Sequence, residues 1–191
     1  MKKFLPALTI SLIFTGLLVL QMAFNGQSSR AQKTNKSESK YAAYESIFSK
    51  ISVKTTKGRK LSHVDFKDKV VLFNFWASWC RPCVSEFITL NKLIKVIDSE
   101  KFLVLGINND DEDILKNIKK TEKKHDLKFE SINDSKYGMT GKFLIEKIPA
   151  TIVFQNGKVI FFSNEEYDFM SETFIYKIKS AIKSIKKPTK K

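Results

Sequence analysis

Val70-Val71-Leu72-Phe73-Asn74-Phe75-Trp76-Ala77-Ser78-Trp79-Cys80-Arg81-Pro82-Cys83 is a nearly unbroken apolar run that ends in two cysteines separated by two residues. From Val70 to Trp76 the run lacks the polar alternation of a half-exposed strand, which predicts a central strand covered on both faces. Val84, Phe87, Leu90, Ile94 and Ile97 then recur at helical spacing. The cysteines therefore fall where a buried strand hands over to a helix.

Those two cysteines are all the chain has. As a structural staple the pair would be poor, because closing so short a loop removes little unfolded-state entropy and strains the bridge. A strained, exposed bridge suits thiol exchange instead. At a helix start, free backbone N–H groups and the helix dipole favour a thiolate, so Cys80 is the expected nucleophile. Cys83, one turn in, is the expected resolving thiol of a redox-active disulfide. Arg81 places a positive charge beside the pair, and Pro82 suits the first helical turn, where its missing N–H costs nothing.

Metal binding is the competing chemistry for such a pair. A structural zinc site needs four ligands, and beyond the cysteines there are only His63 and His125. Copper can be held by two thiolates and a histidine, so a copper-binding metallochaperone stays open as an alternative of a different class. His125, beside Lys123, Lys124 and Asp126 at an expected helix end, reads as solvated. No metal and no cofactor is assigned.

Downstream, Phe102 to Ile107 reads as a second buried strand, and Asn109-Asp110-Asp111 as the cap of a helix through Ile114 and Ile118 to about His125. Strand and helix alternate here as in a parallel sheet with right-handed crossovers. Thr151 to Phe154 and Lys158 to Phe162, joined through Asn156-Gly157, predict an antiparallel hairpin, so the sheet is mixed. Phe174, Ile178, Ala181, Ile182 and Ile185 lie on one face of a final helix. Upstream, Ile51 to Thr55, the Thr56-Lys57-Gly58 turn and Arg59-Lys60-Leu61 predict a hairpin extension ahead of the main sheet.

A chain of 191 residues has room for one such core. The first 31 residues hold no acidic residue and run from Lys2-Lys3 into the apolar stretch Phe4 to Phe24. This is a signal peptide or a membrane anchor: about 20 apolar residues can span a bilayer, and Ser29-Arg30-Ala31 offers a cleavage site. The expected organisation is therefore that leader at 1–31, a polar tether at 32–45, the α/β domain at 46–187 and a basic tail at 188–191. The formal charge of +14 falls by three when Lys2, Lys3 and Arg30 leave with the leader. The remaining positive charge is spread over helix faces and the tail and reads as a solvated surface, with attraction of anionic lipid or acidic partners as the alternative; without an aromatic-interleaved patch no nucleic-acid partner is expected.

The tryptophan-flanked Cys80-Arg81-Pro82-Cys83, combined with Ile148-Pro149-Ala150-Thr151 downstream, resembles the thioredoxin superfamily, and in detail its exported TlpA/ResA-like branch, over roughly Ile51 to Ile185. The resemblance implies a thioredoxin-like fold and a thiol-disulfide oxidoreductase. It implies that Pro149 follows a cis peptide bond and packs against the disulfide, leaving the backbone of Ile148 to pair with an incoming peptide. Trp79, Arg81, Pro82, Ile148 and Pro149 are then substrate-binding, and Glu86 joins Cys80 and Cys83 as a catalytic proton acceptor and donor beneath the pair. Asn74 departs from the thioredoxins, which carry a buried aspartate there, and Asp68 stands where the family usually has glycine.

The partners implied are exported protein thiols and disulfides, a membrane thiol electron carrier, and the membrane through the N-terminal segment. The place implied is the periplasm or the outer face of a bacterial cytoplasmic membrane. Net reduction, as in cytochrome c maturation, is the direction the resemblance suggests; a disulfide-forming oxidant is the alternative.

Overall fold

The structure is a computed structural model that describes residues 41–185; the leader, the tether up to residue 40 and the basic tail lie outside the described residues. Among the described residues no helix is long and apolar enough to cross a membrane. The folded part begins earlier than the expected boundary at residue 46, because Ala42–Phe48 forms a helix, α1. Its sequence carries Tyr44 and Phe48 one turn apart, and burial of the Phe48 ring is what orders it. Phe48 stacks on Phe154 with ring centroids 4.1 Å apart.

The expected N-terminal hairpin follows as β1, Ser52–Lys54, paired antiparallel with β2, Lys60–Ser62. It is tied to the main sheet by the Thr55–Ile132 bridge and by the Thr56 N–H donating to the Ser131 carbonyl at 2.8 Å.

The main sheet is built around β3, Val70–Trp76, every residue of which is buried. On one side β3 runs parallel to β4, Phe102–Asn108, which runs parallel to β5, Glu130–Asn133. On its other side β3 pairs antiparallel with β6, Ala150–Gln155, itself hairpinned to β7, Lys158–Ser163. The order β5-β4-β3-β6-β7 is the mixed sheet expected. At its hairpin Asn156 and Gly157 both have positive φ, as the tight turn requires. β5 has no counterpart in the sequence reading: Glu130-Ser131-Ile132-Asn133 holds a single large apolar residue, and beyond its ladder with β4 it pairs, among the described residues, only through the isolated Thr55 bridge.

Helices cover both faces. One face carries α2, Arg81–Ile97, α5, Glu172–Ser184, and Ile118 of α3, Ile114–His125. The other is closed by α1 and by α4, Gly138–Lys142, through Phe48, Met139 and Phe143. The helix expected from Asn109-Asp110-Asp111 starts at Ile114, and its cap position is Asp113. Asp110 is buried and serves the neighbouring loop instead. Asp68 has φ 56°, a conformation aspartate tolerates better than most residues.

Candidate active site

The carboxyl ends of parallel strands face one edge of the sheet, and the Cys80 turn leaves β3 there. The loop after β4 anchors that turn: Ser78 donates from its backbone N–H and its Oγ to Asp110 Oδ1, at 2.9 and 3.1 Å. Asn108 Nδ2 donates to Asp110 Oδ2 at 3.1 Å, and the Asn109 N–H donates to the Trp76 carbonyl at 2.8 Å. A carboxylate accepting from so many donors is a strong, charge-assisted tie, and it holds the loop between β3 and α2.

Cys80 caps α2, with its Sγ accepting from the Cys83 N–H at 3.3 Å, and Pro82 lies in the first turn. The two sulfurs are joined as a disulfide. Cys83 is fully buried, whereas Cys80 keeps 5% of its surface accessible, so the pair presents Cys80 outward. Arg81 and Pro82 are exposed, and Trp79 is 65% exposed beside them. On the other flank, Pro149 is buried after a cis bond from the half-buried Ile148. β6 opens with Ala150 opposite Phe75, which brings Ile148-Pro149 to the same end of β3 as the cysteines.

Below the disulfide lies a polar cluster in an otherwise apolar core. Glu86, one turn beyond Cys83 on α2, is 1% exposed. Its Oε2 accepts from Asn74 Nδ2 at 3.0 Å, and its Oε1 accepts from the Tyr167 backbone N–H at 2.7 Å. Asn74 Nδ2 also donates to Thr151 Oγ1 at 3.1 Å. Burial pushes the Glu86 carboxyl up to about 7, against the two hydrogen bonds that favour its charged form. A carboxyl poised there can exchange a proton near neutral pH.

The structure thus brings together the site residues singled out in the sequence. It adds Thr151, Tyr167 and Asp110. Thr151 stood inside the Ile-Pro-Ala-Thr motif without a role of its own. Tyr167 acts through its backbone from a loop 81 residues away, which no side-chain pattern could announce.

His125 is not simply solvated. It is half-buried, with its ring 6.1 Å from that of Phe87. It lines a cleft with Trp79 and Arg81, whereas His63 lines a separate cavity with Phe48 and Val64. Among the described residues no three His, Cys, Asp or Glu side chains converge as a metal site.

The AhpC/TSA family matches residues 45–162 of the chain. Among curated proteins, the chain is similar to the Thioredoxin-like protein YneN of Bacillus subtilis (strain 168), with 34% identity over 110 residues, 57% of this chain and 64% of that protein. It is similar also to the Thiol-disulfide oxidoreductase ResA of Bacillus cereus, 29% identical over 105 residues, 54% of this chain and 60% of that protein. The chain therefore spans less than two thirds of the length of these two relatives. Among solved structures, a DsbF homologue from Corynebacterium diphtheriae superposes with a TM-score of 0.61 and 26% identity, over 70% of this chain and 85% of that one. The fold is thioredoxin-like, as the sequence motif implied.

Proposed function

The chain belongs to the AhpC/TSA family, and from that membership and its site geometry we propose that it is a thiol-disulfide oxidoreductase acting on proteins outside the cytoplasm. The observation that carries the reading is the Cys80–Cys83 disulfide at the start of α2, with Cys80 toward solvent and a carboxyl poised near neutrality one turn below Cys83.

In the reduced protein, the Cys80 thiolate attacks one sulfur of a substrate disulfide. That S–S bond breaks, a mixed disulfide forms, and the other substrate sulfur leaves as a thiolate that takes a proton. Glu86, as carboxylate, accepts the Cys83 thiol proton. The Cys83 thiolate then attacks Cys80 Sγ, closing the disulfide and expelling the second substrate thiolate. Two electrons have passed to the substrate.

Asn74 suits both states of Glu86. Its Nδ2 donates to the carboxylate, and a turned amide would offer Oδ1, buried without a partner here, to the protonated carboxyl. Trp79, Arg81 and Pro82 form one side of the docking surface, and the Ile148 backbone beside Pro149 offers strand pairing to a peptide on the other.

The leader at 1–31 supports export, with an anchor or a cleaved signal as its two forms. The TlpA/ResA-like resemblance and the ResA similarity favour net reduction, as in cytochrome c maturation, with electrons from a membrane thiol carrier.

The test is insulin reduction by the reduced protein, together with its potential against dithiothreitol and glutathione buffers. Turnover with a potential below about −220 mV supports a reductase. A value near about −120 mV makes the protein an oxidant of folding chains. Tight stoichiometric Cu(I) binding without turnover would overturn the enzyme reading in favour of a copper chaperone. Replacing Glu86 by Gln should slow exchange and remove an inflection near pH 7; an unchanged pH profile would remove Glu86 from the mechanism.

A further inference from the structure

We infer that the cleft between the start of α2 and one face of α3 recognises acidic residues flanking the disulfide of a protein partner, an inference that rests on the exchange reading above. The cleft has a volume of about 340 Å³. One wall is Trp79 and Arg81, the residues on either side of Cys80 in the chain; the other is Asn117, Lys120, Lys124 and His125 of α3. Asn117, Lys120 and Lys124 follow one another at spacings of three and four, which stacks them on one face of the helix.

Basic residues abound on this chain, so single lysines signify little. This group differs in three respects. It lines a concave surface, where low-dielectric walls focus the field of each charge. It stands beside Cys80, the one of the two cysteines that keeps some surface accessible. And it is uncompensated: the ion pairs of the described residues are Arg59–Glu130, Lys116–Asp113, Lys128–Asp126 and Lys158–Glu45, so Arg81, Lys120 and Lys124 have none. Asp110, the acid that reaches the Ser78 end of this cleft, is buried and committed to Ser78 and Asn108.

Crowding of like charge registers at His125. Its imidazole is held below the usual histidine range, first by burial and then by the Lys124 ammonium. A carboxylate entering the cleft would relieve that repulsion. Arg81 can take a carboxylate bidentately, the two lysines can each meet another as point charges, and Trp79 offers a flat apolar face to the peptide between them.

The experiment uses the full-length chain, reduced and freed of reductant, in single-turnover reaction with disulfide peptides identical except for Glu, Gln or Lys on either side of their cysteines. The Glu peptide should react roughly tenfold faster than the Gln peptide, and the Lys peptide slower still. High salt, and the double substitution Lys120→Ala with Lys124→Ala, should erase the Glu advantage. Both proteins should reduce uncharged 2-hydroxyethyl disulfide at one common rate.

Equal rates for the three peptides would overturn the inference while leaving the exchange reading intact. A parallel loss with 2-hydroxyethyl disulfide in the double variant would also overturn it, because the lysines would then act on Cys80 rather than on the partner. Failure of the wild-type protein to reduce any of these disulfides would instead overturn the exchange reading.

Discussion

The two faces of β3 are built to opposite ends. Val71, Phe73 and Phe75 point into a cluster of rings, where Phe73 meets Phe48, Phe66, Phe143 and Phe154 at centroid distances of 5.6 to 6.1 Å. Val70, Leu72 and Trp76 point the other way, toward α2, and between Leu72 and Trp76 that face admits Asn74 and, through it, Glu86. The first face contributes stability and no chemistry. The second gives up stability, since a carboxyl that resists ionisation weakens the fold at any pH where it must ionise, and in return holds a proton beneath the cysteines. One strand serves both ends because successive side chains leave it on opposite sides.

The comparison breaks most visibly at Phe73. Replacing it by Ala should cost about 3–5 kcal/mol in urea unfolding, yet leave the potential of Cys80–Cys83 unchanged in the protein that remains folded. A shifted potential would mean that the faces are coupled.

Glu86 tests the other face. The folded protein keeps the Glu86 proton up to about pH 7, whereas the unfolded chain releases it near 4.5. Raising the pH through that window therefore favours the unfolded chain, by on the order of 3 kcal/mol by pH 8. Urea midpoints of the oxidised protein should fall from pH 5 to pH 8, and Glu86→Gln should flatten that fall. A variant as pH-sensitive as the parent would place the titration elsewhere.

Gly106 sharpens the comparison from β4. A Cβ there would lie 2.6 Å from Trp76 Nε1 and 2.8 Å from Phe129. Gly106→Ala should cost about 1–3 kcal/mol and, by pushing Trp76 against Phe87 and α2, change the rate of disulfide exchange. An unchanged rate would show that α2 tolerates the displacement. The smallest effect is expected at Asp110→Asn, about 1 kcal/mol, with faster hydrogen exchange at the Ser78 amide as its local signature.

How far this could be read beforehand varies along the chain. The central strand, the cysteine-bearing helix, the second parallel strand, the Asn156-Gly157 hairpin and the last helix stand where their patterns place them, because each carries an apolar period strong enough to name its element. β5 escaped because an edge strand needs few apolar residues. α1 escaped because seven residues cannot hold a helix without the Phe48 contact that orders them. Asn109-Asp110-Asp111 is a capping signal, but the loop after β4 turns the Asp110 carboxyl to Ser78 and Asn108 instead.

The sequence alone set out the residues of the proposed chemistry: two cysteines at a strand-to-helix junction, with Arg81, Pro82 and Glu86 at fixed offsets on one helix, are local facts that backbone periodicity converts into neighbours. Only the tertiary structure decided what surrounds them. The Thr151 hydroxyl on Asn74, the Tyr167 amide on the Glu86 carboxyl, and the basic cleft between α2 and α3 all join segments far apart in the chain, and the burial that such contacts complete is what holds the Glu86 proton to about pH 7. Such contacts depend on how the sheet is ordered and which helices it buries, and no local pattern carries that information.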